Sequence, residues 1–241
     1  MTPASTRETV ITALARRIRG CRHVAVGNAS PIPAAAALLA RAQSGGAMTV
    51  YILGSRANNP YGDGARELFD SAGQGRLDAF FLGGGEIDGQ ANVNLVAVGE
   101  HDAPAMRFPG SFGSAYLYFV VPKVILFREE HSRRVLVPRV SFVSAPGISP
   151  PGVYRPGGPS ALVTGRCIFA FDRARGRFKL ESVHPGETAA SIRAETGFDY
   201  DSAAQPPQTI APAPEELQAI RSQVAAELAE SYPLFVRKEW R

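Results

Sequence analysis

The sequence predicts the α/β fold class, with an open, mainly parallel sheet flanked by helices and a β-rich second half. In the first third of the chain, short apolar segments ending in glycine alternate with helical patterns. Such alternation needs crossover connections, and these place neighbouring strands parallel. After residue 85, apolar and β-branched segments follow one another with only short loops between them, which is typical of strands without intervening helices.

The first helix is predicted from residue 6, because Val10, Leu14 and Ile18 recur every four residues and Ser5 or Thr6 can cap its N-terminus. Further helices are predicted at 31–42, where alanines follow an early proline, and at 65–72. The strands of this part are predicted at 23–27, 48–53 and 77–82.

The second half predicts strands at 93–98, 121–128, 135–144 and 167–172. Residues 145–159 contain five prolines and four glycines, so a loop or lid is expected there. A helix at 188–196 and a final helix at 214–230 follow. We expect one domain over residues 1–241, in which residues 203–241 form a linker and the C-terminal helix.

The composition is that of an ordinary globular protein. The 241 residues include 45% apolar side chains and carry 26 Lys+Arg against 22 Asp+Glu, a net charge of +4, which excludes intrinsic disorder. Basic residues never form a run longer than two, so neither a polybasic tail nor nucleic-acid binding is predicted. No segment has the ~18 apolar residues of a membrane span or the pattern of a signal peptide, and a cytoplasmic location is expected.

No metal site is predicted, because the two cysteines and four histidines are scattered along the chain. His101, His131 and His184 fall in predicted loops, where surface or capping histidines are expected. Cys21 and Cys167 lie beside apolar strands and are expected to be buried, inert thiols.

Distinctive segments follow the first three predicted strands, at 27–30, 54–59 and 83–88. Ligands of open parallel sheets bind at such carboxyl ends. Gly83, Gly84 and Gly85 expose consecutive backbone N–H groups that suit an oxyanion or a thioester carbonyl. The structural alternative is a tight turn that requires positive φ. The G-x-G-x-x-G, Walker and G-x-S-x-G patterns are absent from the sequence, which disfavours dinucleotide enzymes, NTPases and serine hydrolases.

Several motifs occur in an order that resembles a known family. LGGGEIDGQANVN at 82–94 is followed by RFPGSFG at 107–113, SRR at 132–134 and TGFD at 196–199. In this order and spacing they resemble the β-subunit of the class I coenzyme A transferases. The glutaconate CoA-transferase branch, with its hydrolase-like and decarboxylase-like members, is the most similar.

This resemblance implies a heterodimer or heterotetramer with an α-subunit of related fold, with the acyl-CoA substrate between the subunits. Coenzyme A enters as part of the substrate, and no tightly bound cofactor is implied. In the family's transferases, a glutamate of the β-subunit at the end of the second strand attacks the thioester and becomes a glutamyl-CoA thioester. Here Ile52 occupies that position by ungapped counting, and residues 49–62 contain no Glu, Asp or Cys.

Three explanations of Ile52 remain open. The enzyme can have changed from transfer to hydrolysis or carbon–carbon cleavage of an acyl-CoA, with the acid or base supplied by the α-subunit. It can be a transferase whose nucleophile comes from elsewhere, or the chain can be a non-catalytic binding subunit. We favour the first, because the glycine loop that would stabilise an enolate or oxyanion is present while the nucleophile is absent.

The resemblance also suggests roles for particular residues. The N–H groups of Gly84 and Gly85 would bind the thioester oxygen. Glu86 is a candidate general base, and Asp88 has a structural role in the following turn. Substrate-binding residues are expected to be Gly83, Ser55, Arg56, Asn58, Gly110, Ser111, Phe112 and Gly113. The alternatives are a solvated turn at 55–59 and core packing for Phe112.

Overall fold

The structure, a computed structural model, describes residues 2–100 and 102–240. Its helices are α1 (Thr6–Arg17), α2 (Pro31–Gln43), α3 (Ala65–Gly73), α4 (Ser114–Val120), α5 (Ala189–Glu195), α6 (Pro214–Ala219), α7 (Ala225–Leu228) and α8 (Pro233–Trp240). Its strands are β1 (His23–Val26), β2 (Thr49–Ile52), β3 (Ala79–Leu82), β4 (Glu86–Ile87), β5 (Val93–Asn94), β6 (Ala97–Val98), β7 (Met106–Arg107), β8 (Lys123–Arg128), β9 (Pro159–Thr164), β10 (Cys167–Asp172) and β11 (Arg177–Val183). A π-helical segment, Ile220–Val224, joins α6 to α7.

The described residues form two units of dense internal contact. The first comprises residues up to 81 and from 210 onward, and the second comprises residues 82–209. Two compact units can belong to one domain, so the expectation of a single domain stays a prediction. Among the described residues, no helix combines the length and the apolar character that crossing a membrane requires.

The first unit is built on three parallel strands. β1 lies between β2 and β3, with Val24 opposite both Val50 and Ala79. The expected cap of α1 is confirmed: the Glu8 N–H donates to Ser5 Oγ, and the Ser5 N–H donates to the Glu8 carboxylate. This reciprocal pair satisfies two of the N–H groups that a helix leaves unbonded at its start.

The C-terminal helices belong to this first unit. The predicted apolar face of the last helix is buried, with Leu217, Ile220, Val224 and Leu228 all inside. Ion pairs attach it to α1, since Arg221 Nε lies 2.6 Å from Glu8 Oε1 and Arg16 Nη2 lies 2.6 Å from Glu216 Oε2. The helical region runs from Pro214 to Leu228 and contains the π-helical segment, which the sequence pattern did not indicate.

The second unit combines one parallel strand pair with antiparallel ones. β8 pairs with β9 in parallel, and β10 lies antiparallel between β9 and β11. Aromatic rings fill the space beside these strands, with centroid distances of 4.9 Å between Phe169 and Tyr200 and 5.4 Å between Phe178 and Phe198. The central strands of the protein thus pair mostly in parallel and are flanked by helices, which confirms the predicted fold class.

Two predicted strands differ from the structure for local reasons. The strand at 93–98 is divided into β5 and β6, because Asn94 Oδ1 accepts the N–H groups of Val96 and Ala97 and turns the chain. The structure describes residues 135–144, and no strand forms there. The N–H groups of Val135 and Leu136 donate to Ser132 O, which makes this segment begin as a turn. Pro138 has no N–H group to donate to a neighbouring strand.

Six of the described elements were not predicted from the sequence, namely α4, α8, β4, β7, β9 and β11. β11 shows the reason clearly. Phe178 and Leu180 are buried while Lys179 is exposed between them, so the strand lacks the continuous apolar run that marks the parallel strands. Buried and exposed side chains alternate along β11, as they do in an edge strand with one face in solvent.

Candidate functional site

The glycine loop follows β3, and its glycines are required by close packing. None of Gly83, Gly84 and Gly85 has a positive φ, so the alternative of a turn that requires positive φ is wrong. A β-carbon at Gly85 would lie 2.1 Å from Cζ of Phe108, and one at Gly84 would lie 2.6 Å from Cγ1 of Val93. Both distances are far below van der Waals contact, so side chains at these two positions are excluded by neighbouring side chains.

Accessibility differs along this loop. Gly83 is exposed, while Gly84 and Gly85 are buried. The Gly85 N–H donates to the carbonyl oxygen of Asn94 at 2.9 Å, as part of the contact between the loop and β5. The predicted bond from the Gly85 N–H to a thioester oxygen would therefore require this internal hydrogen bond to break.

Glu86 is buried in a set of hydrogen bonds beside the glycine loop. Its Oε2 accepts from Asn94 Nδ2 at 2.7 Å and from the Ser141 N–H at 2.8 Å, and its Oε1 accepts from Ser141 Oγ at 3.0 Å. Asn94 is itself fixed, because its Nδ2 also donates to Ala97 O at 2.6 Å. Three donors hold the carboxylate in one orientation, which suits a structural support of the loop.

Asp88 holds the turn between β4 and β5. Its Oδ1 accepts the N–H groups of Gln90 at 3.0 Å and Asn92 at 3.1 Å, and its Oδ2 accepts from Asn92 Nδ2 at 3.1 Å. This is the bonding of an Asx-type turn. The geometry fits the structural role that the resemblance implied for Asp88.

We expect Glu86→Gln to lower the free energy of unfolding by about 1 kcal/mol, because the amide keeps an acceptor for the Ser141 N–H. Glu86→Ala removes the acceptor of Asn94 Nδ2, the Ser141 N–H and Ser141 Oγ. Asn94 Nδ2 keeps Ala97 O as an acceptor, and the substitution should cost about 2–3 kcal/mol. Urea unfolding of both variants measures this difference. If turnover by Glu86→Gln stays within a few-fold of the parent, Glu86 is not the general base, whose loss should cost roughly 100-fold or more.

The second glycine loop, residues 110–113, precedes α4 and presents an aromatic side chain to solvent. Phe112 is 83% exposed, so the alternative of core packing is wrong. Its φ of +44° lies in the left-handed region, where a bulky side chain costs about 1–3 kcal/mol. The loop is nevertheless fixed, because the Gly110 N–H donates to Leu95 O at 3.1 Å and the Ser114 N–H donates to Ser111 O at 2.8 Å. A strained, exposed aromatic on a fixed loop is typical of a binding position.

β2 ends at Ile52, which is 2% exposed, and the loop after it is bonded internally. The Ile52 N–H donates to Asn58 O at 2.8 Å, and its carbonyl accepts the Ser55 N–H at 3.1 Å. Gly54 has a φ of +89°, a conformation that glycine adopts without strain. Ser55 and Asn58 are buried, so the alternative of a solvated turn is wrong for these two, whereas Arg56 is exposed.

Carboxylates of α7 and of the turn that follows it fix this loop. Ser55 Oγ donates to Glu230 Oε2 at 2.8 Å, and the Arg56 N–H donates to Glu230 Oε1 at 2.9 Å. Asn58 Nδ2 donates to Glu227 Oε1 at 2.9 Å. A substrate-binding role for the Ser55 and Asn58 side chains would require them to exchange these partners.

Arg41 of α2 completes this cluster. Its Nη1 donates to Asn58 Oδ1 at 2.6 Å, and its Nη2 forms an ion pair with Glu227. Sequence reasoning missed Arg41, Glu227 and Glu230. No sequence signal connects residues that lie about 170 positions apart, because the folding of the chain alone brings them together.

His131 and His184 are buried, so the expectation of surface histidines is wrong for both. The ring nitrogens of His131 lie 2.8 Å from Thr164 Oγ1 and 3.0 Å from Thr196 Oγ1. His184 Nδ1 lies 2.8 Å from Thr209 Oγ1. Neutral hydroxyl partners satisfy the rings without charge, and burial lowers the pKa of His131 to about 4. His101 lies outside the described residues.

Cys167 is buried beside His131, with Sγ 3.7 Å from Nδ1, and burial raises the pKa of its thiol. It is therefore a neutral thiol, as expected, whereas Cys21 is half-buried. Across residues 2–100 and 102–240, no group of three or more His, Cys, Asp or Glu side chains has an arrangement that could hold a metal ion.

The chain is similar in sequence to proteins of known function. The sequence profile of the coenzyme A transferases matches residues 6–195. The B-type subunit of 3-oxoadipate CoA-transferase from Pseudomonas knackmussii is 30% identical over 249 aligned residues, which cover 92% of this chain and 94% of that protein. The IpdB component of a cholesterol ring-cleaving hydrolase from Rhodococcus jostii is 30% identical over 160 residues, covering 65% of this chain and 62% of IpdB.

Solved structures agree with the sequence comparisons. The crystal structure of IpdAB from Rhodococcus jostii matches with a TM-score of 0.81 and 25% identity, covering 92% of this chain and 94% of that one. The crystal structure of the decarboxylase AibA/AibB matches with a TM-score of 0.76 and 26% identity, covering 98% of both chains. The profile match over most of the chain, the full-length similarity to a B-type subunit and the shared fold lead to one conclusion: this chain belongs to the coenzyme A transferase family.

Proposed function

We propose that this chain is the B-type subunit of a cytoplasmic two-subunit enzyme that hydrolyses an acyl-CoA thioester or cleaves a carbon–carbon bond of it, as a decarboxylase does. The observation that carries the proposal is Ile52 at the end of β2, where the family resemblance places the nucleophilic glutamate of the transferases. An alkyl side chain offers neither a nucleophile nor a proton. Coenzyme A is part of the substrate in this proposal, and no tightly bound cofactor is needed.

The surroundings of Ile52 support this proposal. Residues 49–62 contain no Glu, Asp or Cys, so a shift of a few positions does not provide a carboxylate or thiol nucleophile. Glu227 and Glu230 reach the loop, but their oxygens accept hydrogen bonds from Arg41, Asn58, Ser55 and the Arg56 N–H. Carboxylates held in this way serve the loop as acceptors. The acid or base of the reaction is therefore assigned to the partner subunit.

This chain would contribute binding and charge stabilisation. The exposed backbone at Gly83 and the adjoining Gly84 would stabilise developing negative charge on the thioester oxygen, an effect worth about 3 kcal/mol per donor. The exposed Arg56, in the loop after β2, would pair with an anionic group. The loop at 110–113, with its exposed Phe112, would line the path of the acyl-CoA.

The surface of the second unit supports the proposal that a partner subunit binds this chain. Its large exposed apolar side chains all lie between residues 106 and 154. They are Met106, Phe112, Tyr116, Phe142, Val143, Ile148, Val153 and Tyr154. We expect some of these side chains to form a contiguous apolar patch, and such patches mark interaction sites. We propose that an A-type subunit of related fold covers part of this segment in a heterodimer or heterotetramer.

A transferase is the second candidate, and it is favoured by the 30% identity to a 3-oxoadipate CoA-transferase subunit over 92% of the chain. In that case the nucleophile comes from elsewhere in the complex. The two candidates differ in one measurable respect. A transferase of this type keeps CoA or an acyl group covalently bound between half-reactions, whereas a hydrolase or lyase assisted by the partner releases free CoA or carbon dioxide.

Intact-mass measurement tests the proposal. The complex would be co-purified with its partner subunit, incubated with a panel of acyl-CoA thioesters and quenched in acid at several times. We expect no CoA adduct on this chain, and free CoA or carbon dioxide released without an acceptor carboxylate. Turnover that occurs only when an acceptor carboxylate is present, together with a CoA adduct on either chain, would identify a transferase.

A further inference from the structure

A cavity of about 570 Å³ in the second unit is lined by four arginines. Arg133 follows Ser132 in the SRR motif, Arg175 and Arg177 lie at the turn between β10 and β11, and Arg193 belongs to α5. The remaining wall includes the turn after β4, at Gly89 and Gln90, and residues 196–199. None of these arginines belongs to the glycine loops or to the loop after β2.

The cavity carries an excess of positive charge. Among the described residues, two carboxylates form ion pairs with its arginines. Asp201 lies 2.5 Å from Arg175 Nη1 and 2.8 Å from Arg177 Nε. Asp199 lies 3.6 Å from Arg193 Nη1, and its side chain is almost fully exposed. Four guanidinium groups against two carboxylates leave a site that attracts anions.

The guanidinium groups are oriented while several of their donors remain available to a ligand. Arg133 uses Nε for a bond to Ala194 O at 2.8 Å, which leaves its two terminal amino groups unused among the bonds of the described residues. Arg177 is oriented by Asp201, which lies 2.8 Å from its buried Nε. Arg193 lies over the Tyr200 ring, with its guanidinium carbon 3.8 Å from the centroid. A stacked guanidinium is held in one plane.

We infer that this cavity is a binding site for a phosphorylated small molecule and that its arginines hold a diphosphate group. Guanidinium forks match phosphate oxygens in pairs, and several forks around one cavity favour a multiply charged anion over a single carboxylate. The volume lies within the range of small-molecule sites. The inference concerns anion binding and does not depend on the proposed reaction.

The diphosphate can belong to one of two ligands. Gly89 of the cavity wall follows Gly85 of the glycine loop by four residues. The two residues are therefore at most about 14 Å apart, the length of four residues of extended chain. The pantetheine arm of coenzyme A can span this distance. The first source is therefore the diphosphate of the acyl-CoA itself, and this source rests on the proposed function. The second is a separate diphosphate-bearing metabolite that binds while the acyl-CoA is in place.

Inorganic pyrophosphate is the probe, titrated by calorimetry into the full-length chain at low ionic strength. We expect one site per chain, weakened at least tenfold by Arg133→Gln and weakened further by added salt. Arg134→Gln is the matched control, because Arg134 is the adjacent residue, is exposed and pairs with Glu130. No binding to the parent chain, or equal weakening by both substitutions, would overturn the inference.

Competition with coenzyme A then identifies the source. If the acyl-CoA occupies the cavity, saturating CoA displaces pyrophosphate and Arg133→Gln raises KM for the thioester with little change in kcat. If a separate metabolite binds, pyrophosphate and CoA bind together. Both outcomes support a diphosphate site. Absence of acyl-CoA turnover combined with pyrophosphate binding would reject the proposed function alone.

Discussion

Replacing Gly85 with alanine is expected to destabilise the protein by about 2–3 kcal/mol, the cost of forcing a methyl group into a packed interior. The added β-carbon would lie 2.1 Å from Cζ of Phe108, so the ring or the loop must move. For a chain of this length, the melting temperature should fall by roughly 5–10 °C. Thermal unfolding followed by circular dichroism measures it.

Gly83→Ala is the matched control within the same loop. Its β-carbon would lie 3.4 Å from Phe127 O, an ordinary contact, and the residue is exposed. We expect its melting temperature within about 2 °C of the parent, since surface substitutions rarely exceed about 0.5 kcal/mol. Adding Phe108→Leu to Gly85→Ala should restore part of the loss, because the ring that causes the overlap is removed. Equal melting temperatures for both single variants would contradict the packing argument.

Acidification from pH 7 to pH 5 is expected to destabilise the protein by roughly 2 kcal/mol through His131 alone. Burial, assisted by the charge of Arg166, lowers the pKa of His131 to about 4, while an unfolded histidine titrates near 6.5. The unfolded state therefore binds the proton first as the pH falls. The contribution of His131 to the free energy of unfolding is fully present above about pH 6.5. It decreases as the pH falls below that value and stops changing near pH 4.

His131→Gln isolates this effect from the other titrating groups. Glutamine keeps one donor and one acceptor toward the two threonine hydroxyls but does not titrate. Urea unfolding at several pH values should show a stability loss between pH 7 and 5 that is about 2 kcal/mol smaller in the variant than in the parent. The remaining slope is expected to come partly from His184, whose pKa burial also lowers. Identical slopes for both proteins would show that His131 is not a neutral, buried group.

The sequence predicted the α/β class and most elements of the first unit, because these depend on local patterns. Glycine-terminated apolar segments marked β1 to β3, and a proline followed by alanines marked α2. The order of the motifs predicted the family, since each motif is a continuous segment. The absence of Glu, Asp and Cys from residues 49–62 was also a property of the sequence alone.

Tertiary structure decided which partners the candidate residues contact. Ser55 and Asn58 were free to bind substrate as far as the sequence indicates, but folding brings Glu230 and Glu227 to them from about 170 residues away. The same applies to the Gly85 N–H, which the carbonyl of Asn94 occupies.

The histidines followed the same rule. Nothing in the residues adjoining His131 indicates that Thr164 and Thr196 surround its ring. Residue type and spacing determine which backbone forms locally, and so the sequence determined the fold class, the family and the lack of Glu, Asp and Cys at residues 49–62. Burial and hydrogen-bond partners depend on segments far apart in the chain, so only the tertiary structure decided which side chains support the loops and which remain available to a ligand.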